Sequence, residues 1–317
     1  MTREARAEKR RQEGALREAI QRVVHLSAPA VCTLRDCRRE LRSPVENALG
    51  YIHQAVAAIP GPVPLAPKRW GQDPLLPALF VNPDEVEALL AGDRRLKSFF
   101  RERTSARACA LLIATPNERT IFGTAVEGGL VQRDVAQTVV EFHDHRIIDP
   151  CPAVAETRRA LEDRALNALV TRVLERLLQA RSLKDELKEQ QRILSIKLKI
   201  QQTRERGLDV LNPEENDGEE APSTARPVMA ELGRQIQDLA AESDSAEAYV
   251  RRLAAVLNAP QQVLAIAPVV LRLDWMGVRQ AAGAGEGDIR LAEVALQGER
   301  RRAAVLVTID RCDCRPA

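Results

Sequence analysis

The sequence predicts an α+β protein in which antiparallel β strands from both halves form a globular head, joined to a long coiled-coil helix and several shorter helices. Three observations carry this. Residues 108–148 and 264–309 are rich in valine, isoleucine and leucine with partial alternation, the pattern of strands. Between them, Ala155 to Arg206 holds no proline or glycine. Short helices bounded by capping residues and breakers fill the remainder.

The elements follow in order. Residues 1–42 form a charged helical region with eleven basic and six acidic side chains between Arg3 and Arg42, and one short apolar stripe of Leu16, Ile20, Val23 and Val24. Residues 43–150 open on Ser43-Pro44-Val45-Glu46, a capping box with proline in the first turn. Val45, Leu49, Ile52, Val56 and Ile59 continue that helix on one face until Pro60. Six prolines between Pro60 and Pro77 exclude regular helix or central strand, leaving a stiff connector or an arm lying across a neighbour. Asn82-Pro83-Asp84-Glu85 caps the next helix and Gly92 stops it. A β-meander of three or four strands is expected over Ala108–Thr115, Thr120–Val126 and Val135–Ile148, with turns at Pro116–Arg119 and Glu127–Gly129.

Residues 151–207 are the long helix. From Leu166, steps of four and three residues mark a seam of Leu166, Val170, Val173, Leu177, Ala180, Leu187, Leu194 and Leu198, interrupted by Lys184 and Gln191. Ile196, Leu198 and Ile200 also alternate with lysines as a strand would, but their flanks are helix formers. An acidic linker, 208–227, separates this helix from 228–317, a helical pair followed by strands near Leu264–Trp275, Ile289–Leu296 and Ala303–Ile309. A helix of about 50 residues spans about 75 Å, and the returning pair is about half as long. The leucine seam therefore calls for cover from a second copy or a partner helix, since exposed apolar surface costs about 25 cal/mol per Å². A break near Ser182, folding the helix back on itself, is the competing arrangement.

Composition narrows the function classes. In 317 residues, 47 Lys and Arg face 45 Asp and Glu, a net charge of +2. That near balance excludes a protein living by long-range attraction to phosphate. Aromatics are 3% of the chain, and residues 1–50 have none, so base stacking and nucleic-acid recognition are disfavoured. No run approaches the roughly 18 apolar residues of a membrane span, and the first thirty residues lack the apolar heart of a secretory signal, which gives a cytoplasmic expectation. Six cysteines without a C-x-x-C pair read as reduced, structural thiols.

Only one cluster suggests chemistry. In a strand, Glu141, His143 and His145 project to one face, a ligand set suited to zinc or non-haem iron, with Asp149 or Cys151 able to complete it. Against this stands a solvated strand face with the same polar alternation. His53 reads as a core-edge histidine. Gly283–Gly287 lacks the following helix and lysine of a phosphate loop and reads as a hairpin loop. No other catalytic set emerges, and no cofactor is indicated. The sequence thus supports a non-catalytic, self-associating scaffold or adaptor. A ligand-sensing regulatory module signalling through the long helix, and a metalloenzyme with a His-x-His site, are the alternatives.

Overall fold

The computed structural model describes residues 3–26, 37–127, 130–208, 221–243, 245–274, 276–280 and 288–314. Among them the helices are α1 (Arg3–Leu26), α2 (Cys37–Glu40), α3 (Arg42–Ala57), α4 (Leu75–Leu79), α5 (Pro83–Gly92), α6 (Arg94–Glu102), α7 (Val154–Leu208), α8 (Ala221–Ser243) and α9 (Ala246–Asn258). The strands are β1 (Val63–Pro64), β2 (Arg107–Glu127), β3 (Leu130–Cys151), β4 (Leu264–Arg272), β5 (Asp288–Leu296) and β6 (Arg302–Asp310). The chain divides into two compact units, Met1–Val45 with Val170–Asn258, and Glu46–Leu169 with Ala259–Ala317. Each unit thus draws on separated stretches of the sequence.

The second unit holds the sheet, with strand order β3-β2-β6-β5-β4. Strands from both halves do share it: β2 pairs antiparallel with β6 from Arg107↔Asp310 to Ala114↔Ala303. β1, inside the proline-rich connector, adds a short parallel pairing to β6 at Val63↔Val307. The turn after β4 bonds back to β3, with Val140 N–H donating to the Gly277 carbonyl (2.9 Å) and Arg279 N–H to that of Thr138 (2.8 Å). The first and last strands of the order are thereby joined.

Both faces of β2 and β6 are covered, as their near-continuous apolar runs require. Ala108, Ala110 and Leu112 of β2, with Val305, Val307 and Ile309 of β6, share a core with Leu76, Phe80, Val86, Leu90, Leu96 and Phe99 of the α4–α6 region. On the other face Leu111, Ile113 and Leu306 are buried too. There α3 and the start of α7 are tied down by long-range bonds: Tyr51 Oη donates to the Leu264 carbonyl (2.8 Å), and Thr157 Oγ1 to that of Cys109 (3.0 Å). Arg158 of α7 donates to the carbonyls of Val56 in the last turn of α3 (2.5 Å) and of Ile59 just past it (3.2 Å).

Local signals act as their chemistry requires. Asn82 Oδ1 accepts from Glu85 N–H (2.9 Å), Glu85 Oε2 accepts from Val81 N–H (2.9 Å), and Asp93 caps α6 directly after Gly92. The expected three or four strands over 108–148 are instead two, of 21 and 22 residues. Pro116–Arg119 is not a turn; Pro116 pairs with Phe142 and Asn117 with Glu141. The proline is tolerated because β6 has already left β2 at Ala114, so one edge of β2 carries no ladder there.

The first unit is helical. The expected α1 stripe of Leu16, Ile20, Val23 and Val24 is buried, as are Leu41, Tyr249, Val250, Leu253 and Leu257. α2 and α8 both contact α9. α7 runs unbroken through Ser182 for 55 residues, so the fold-back near that residue does not occur. α8 begins at Ala221 and includes Pro227, earlier than the acidic linker allowed; Asp209–Glu220 lie outside the described residues. Gly128-Gly129, Gly283–Gly287 and Cys32 do so as well. Among the described residues, no helix is long and apolar enough to cross a membrane.

Gly61 locks the connector against β6. Its φ is +104°, and a Cβ there would collide with the Leu306 carbonyl. Gly61→Ala is expected to destabilise the protein by about 2 kcal/mol or more, through strain and loss of the bond from Leu306 N–H to the Pro60 carbonyl. Urea unfolding checks it; an unchanged midpoint would show that the connector is dispensable.

Candidate functional site

The Glu141–His145 segment lies in β3 opposite β2, where the register breaks. Ile113 pairs with Arg146 but Thr115 with His143, so two residues of β3, Asp144 and His145, oppose one of β2. Asp144 takes the left-handed conformation this bulge needs, with φ 54°. Alternation therefore shifts by one residue between the two histidines. Glu141 and His143 stay on the outer surface, where Glu141 pairs with Arg119 (2.5 Å) and lies 3.7 Å from His143 Nε2. His145 turns away and stacks on Phe80, with ring centroids 4.2 Å apart and planes 22° off parallel.

Strand alternation thus keeps Glu141 and His143 together, and the bulge leaves His145 out. Among the described residues, no three side chains of His, Cys, Asp or Glu gather as a metal would require. Asp149, offered as a further ligand, is held by both arms of the Arg164 guanidinium (2.6 and 2.7 Å). His53 is exposed rather than at a core edge; its Nδ1 meets Glu162 Oε1 at 2.8 Å. The outer patch of Glu141, Arg119 and His143 lies at the surface and carries charge pairs, as a solvated strand face would.

A cleft opens where the sheet curls. Val140, Phe142, Leu271 and Leu291 line its apolar floor, and Glu118, Arg279, Glu293 and Arg302 its rim. The rim charges are already engaged in part: Arg279 bonds Glu118 (2.7 Å) and Glu293 bonds Arg301 (3.1 Å). It leaves about 50 Å³ of free space. Small-molecule sites enclose about 300–1,000 Å³, so this cleft suits a few waters.

The seam of α7 divides into two stretches. Leu166, Val170, Val173, Leu177 and Leu187 are buried within the single chain, so these five need no second chain to cover them. α1 contributes its own buried stripe to the same unit as Val170–Leu187. Leu194 and Leu198 are only half-buried. Here α7 lies beside α8, since a side chain at Gly233 would start 3.5 Å from Gln191 Nε2. No residue of α8 whose exposure is described is fully buried; its apolar positions Met229, Leu232, Ile236 and Leu239 are all intermediate.

On the side of α7 away from the seam, Ile193, Ile196 and Ile200 are 46%, 46% and 52% exposed. Their spacing of three and four residues puts them on one helical face. Asp185, Glu186 and Glu189, with Lys188 among them, precede this stripe, and Arg192, Lys197 and Lys199 accompany it. The strand-like alternation around Ile196 concealed this face; counting at helical period recovers it. Compared with protein-family models, curated proteins and solved structures, the chain matches none.

Burial lowers the pKa of His145 below its ordinary 6.5 and leaves its Nε2 without a partner. The unfolded chain is therefore protonated first as pH falls. No penalty applies above about pH 6.5, and stability is lost progressively below it. His145→Gln is expected to flatten the fall in Tm between about pH 7 and 5. Equal slopes for the two proteins would mean the ring is protonated freely in the fold.

Proposed function

We propose that the chain is a non-catalytic, self-associating scaffold whose docking face is the outer isoleucine stripe of distal α7. The observation that carries this reading is Ile193, Ile196 and Ile200 standing about half exposed on one face, beside a helix pair whose own seam is only half-buried. Three adjacent isoleucines in water are unfavourable at about 25 cal/mol per Å², and such a patch marks an interaction surface. Where α7 is buried all round its seam, as at Val170 and Val173, the chain has satisfied it alone.

The occupant that fits best is a second copy of the same face, running antiparallel. Acidic Asp185, Glu186 and Glu189 lie before the stripe and basic Lys197 and Lys199 within its far end. Two antiparallel copies set the acidic end of each against the basic end of the other, a self-complementary arrangement with a two-fold axis. A parallel pair would juxtapose like charges. The metalloenzyme reading has less support, since the bulge at Asp144 parts the histidines. A cytoplasmic location belongs to the same reading, supported by a core large enough to hold without disulfide staples.

Sedimentation velocity of the full chain at micromolar concentration is expected to give a dimer. Ile193→Glu with Ile196→Glu should weaken it at least about tenfold, since about 1.4 kcal/mol is lost with the buried apolar area. Lys197→Glu with Lys199→Glu should weaken it too, and adding Glu186→Lys and Glu189→Lys should restore it. A strict monomer for the unaltered chain would end the proposal.

A further inference from the structure

Cys109 of β2 and Cys151 of β3 are direct partners in the antiparallel register. Their pairing depends on a second bulge. Leu111↔Ile148, Leu112↔Ile147 and Ile113↔Arg146 form a regular ladder, which continued unbroken would set Cys109 against Pro150. Instead the register skips one residue between Leu111 and Cys109, with Asp149 in the left-handed region at φ 49°. The extra residue carries Cys151 into the place opposite Cys109. Arg164, gripping both Asp149 carboxylate oxygens, holds that bulge in place.

Opposite residues of an antiparallel pair point to the same face, with Cα atoms about 4.5 or 5.5 Å apart by pair type. A disulfide spans Cα separations of about 4.4–6.8 Å, so either type suits one. Thr157 lies against both residues. Its side chain is fully buried, and its hydroxyl donates to the Cys109 carbonyl at 3.0 Å and lies close enough to Cys151 to oppose the upward shift of that thiol's pKa. Cys109 alternates with Ala108 and Ala110, which face the α4–α6 core, so it points to the opposite face of the sheet. Neither cysteine is engaged in a disulfide, and Cys151 is the more accessible of the two.

We propose that Cys109 and Cys151 are a redox modification site that closes to a cross-strand disulfide when a low-molecular-weight disulfide is the oxidant. The more accessible Cys151 gives up its proton, and its thiolate attacks one sulfur of the oxidant. An S–S bond forms to Cys151, and half of the oxidant leaves as a thiolate. The Cys109 thiolate then attacks the Cys151 sulfur and expels the other half. Two protein thiols are oxidised and one small disulfide is reduced to two thiols, which take up the two protons. Burial pushes both protein thiols above their usual pKa, so exchange is slow near neutrality and faster in alkali. The bond would pin the root of the β2–β3 hairpin three residues before α7 begins.

The other described cysteines have different surroundings. Cys314 donates its S–H to the Asp310 carbonyl (3.6 Å), and burial pushes its pKa up to about 12. Cys312 sits two residues from it in the same short helical turn, too close along the chain to bond it without distortion.

The test is oxidation of the full chain with oxidised glutathione at mildly alkaline pH, acid quenching, and trypsin digestion. The expected product joins Ala108–Arg119 to Ile147–Arg158 with loss of two hydrogens, about 2 Da, and dithiothreitol reverses it. A variant with Cys32, Cys37, Cys312 and Cys314 all changed to Ser should give the same product at the same rate. Cys151→Ala, which keeps a small apolar side chain and is checked for folding by circular dichroism, should give none. Stable glutathione on Cys151 without closure, or a cross-link between other cysteines while these two remain reduced, would overturn the proposal.

Discussion

The structure of the sheet-bearing unit depends on one strand, β6. It is last in the sequence, yet it lies between β2 from the first half and β5 from the second, and also receives β1 from the proline-rich connector. Ala303 through Val307 are buried without interruption, so both faces of β6 contribute to cores. Until β6 is seated, β2 lacks its inner neighbour and both apolar layers are open to water. Such non-local pairing must overcome the closure entropy of nearly two hundred intervening residues before it gains any burial.

That constraint explains where polar side chains can accumulate. With both faces of β2 and β6 covered, many charged groups gather on the β2–β3 extension beyond Ala114, where β6 no longer pairs. Glu118, Arg119, Glu141 and His143 all lie there. Their pairing with one another follows from crowding on one exposed ribbon. The helical unit has the opposite character. Its inner stripe is satisfied by neighbouring helices, and its outer stripe is left to solvent.

Much of the architecture was legible from residue order. Asn82, Gly92 and Pro152 bound elements through chemistry that acts within three or four residues. The span from Pro152 to Gly207 could be read as one helix because nothing in it opposes helix. The candidate site was less accessible, because it turns on two aspartates. Nothing local marks Asp144 and Asp149 as left-handed rather than extended; Asp tolerates both conformations. Yet the first parts His143 from His145 and the second aligns Cys109 with Cys151. The extent of seam burial was likewise hidden, because burial is decided by packing between elements and not by the spacing of leucines along one helix.

The two compact units are interleaved, with junctions inside α3, inside α7 and after α9. A cut at any single point therefore cannot release one intact unit from the other. Genetic dissection of this molecule has to combine excision of the stretch from Val170 to Asn258, as one removes an inserted cassette, with removal of Met1–Val45.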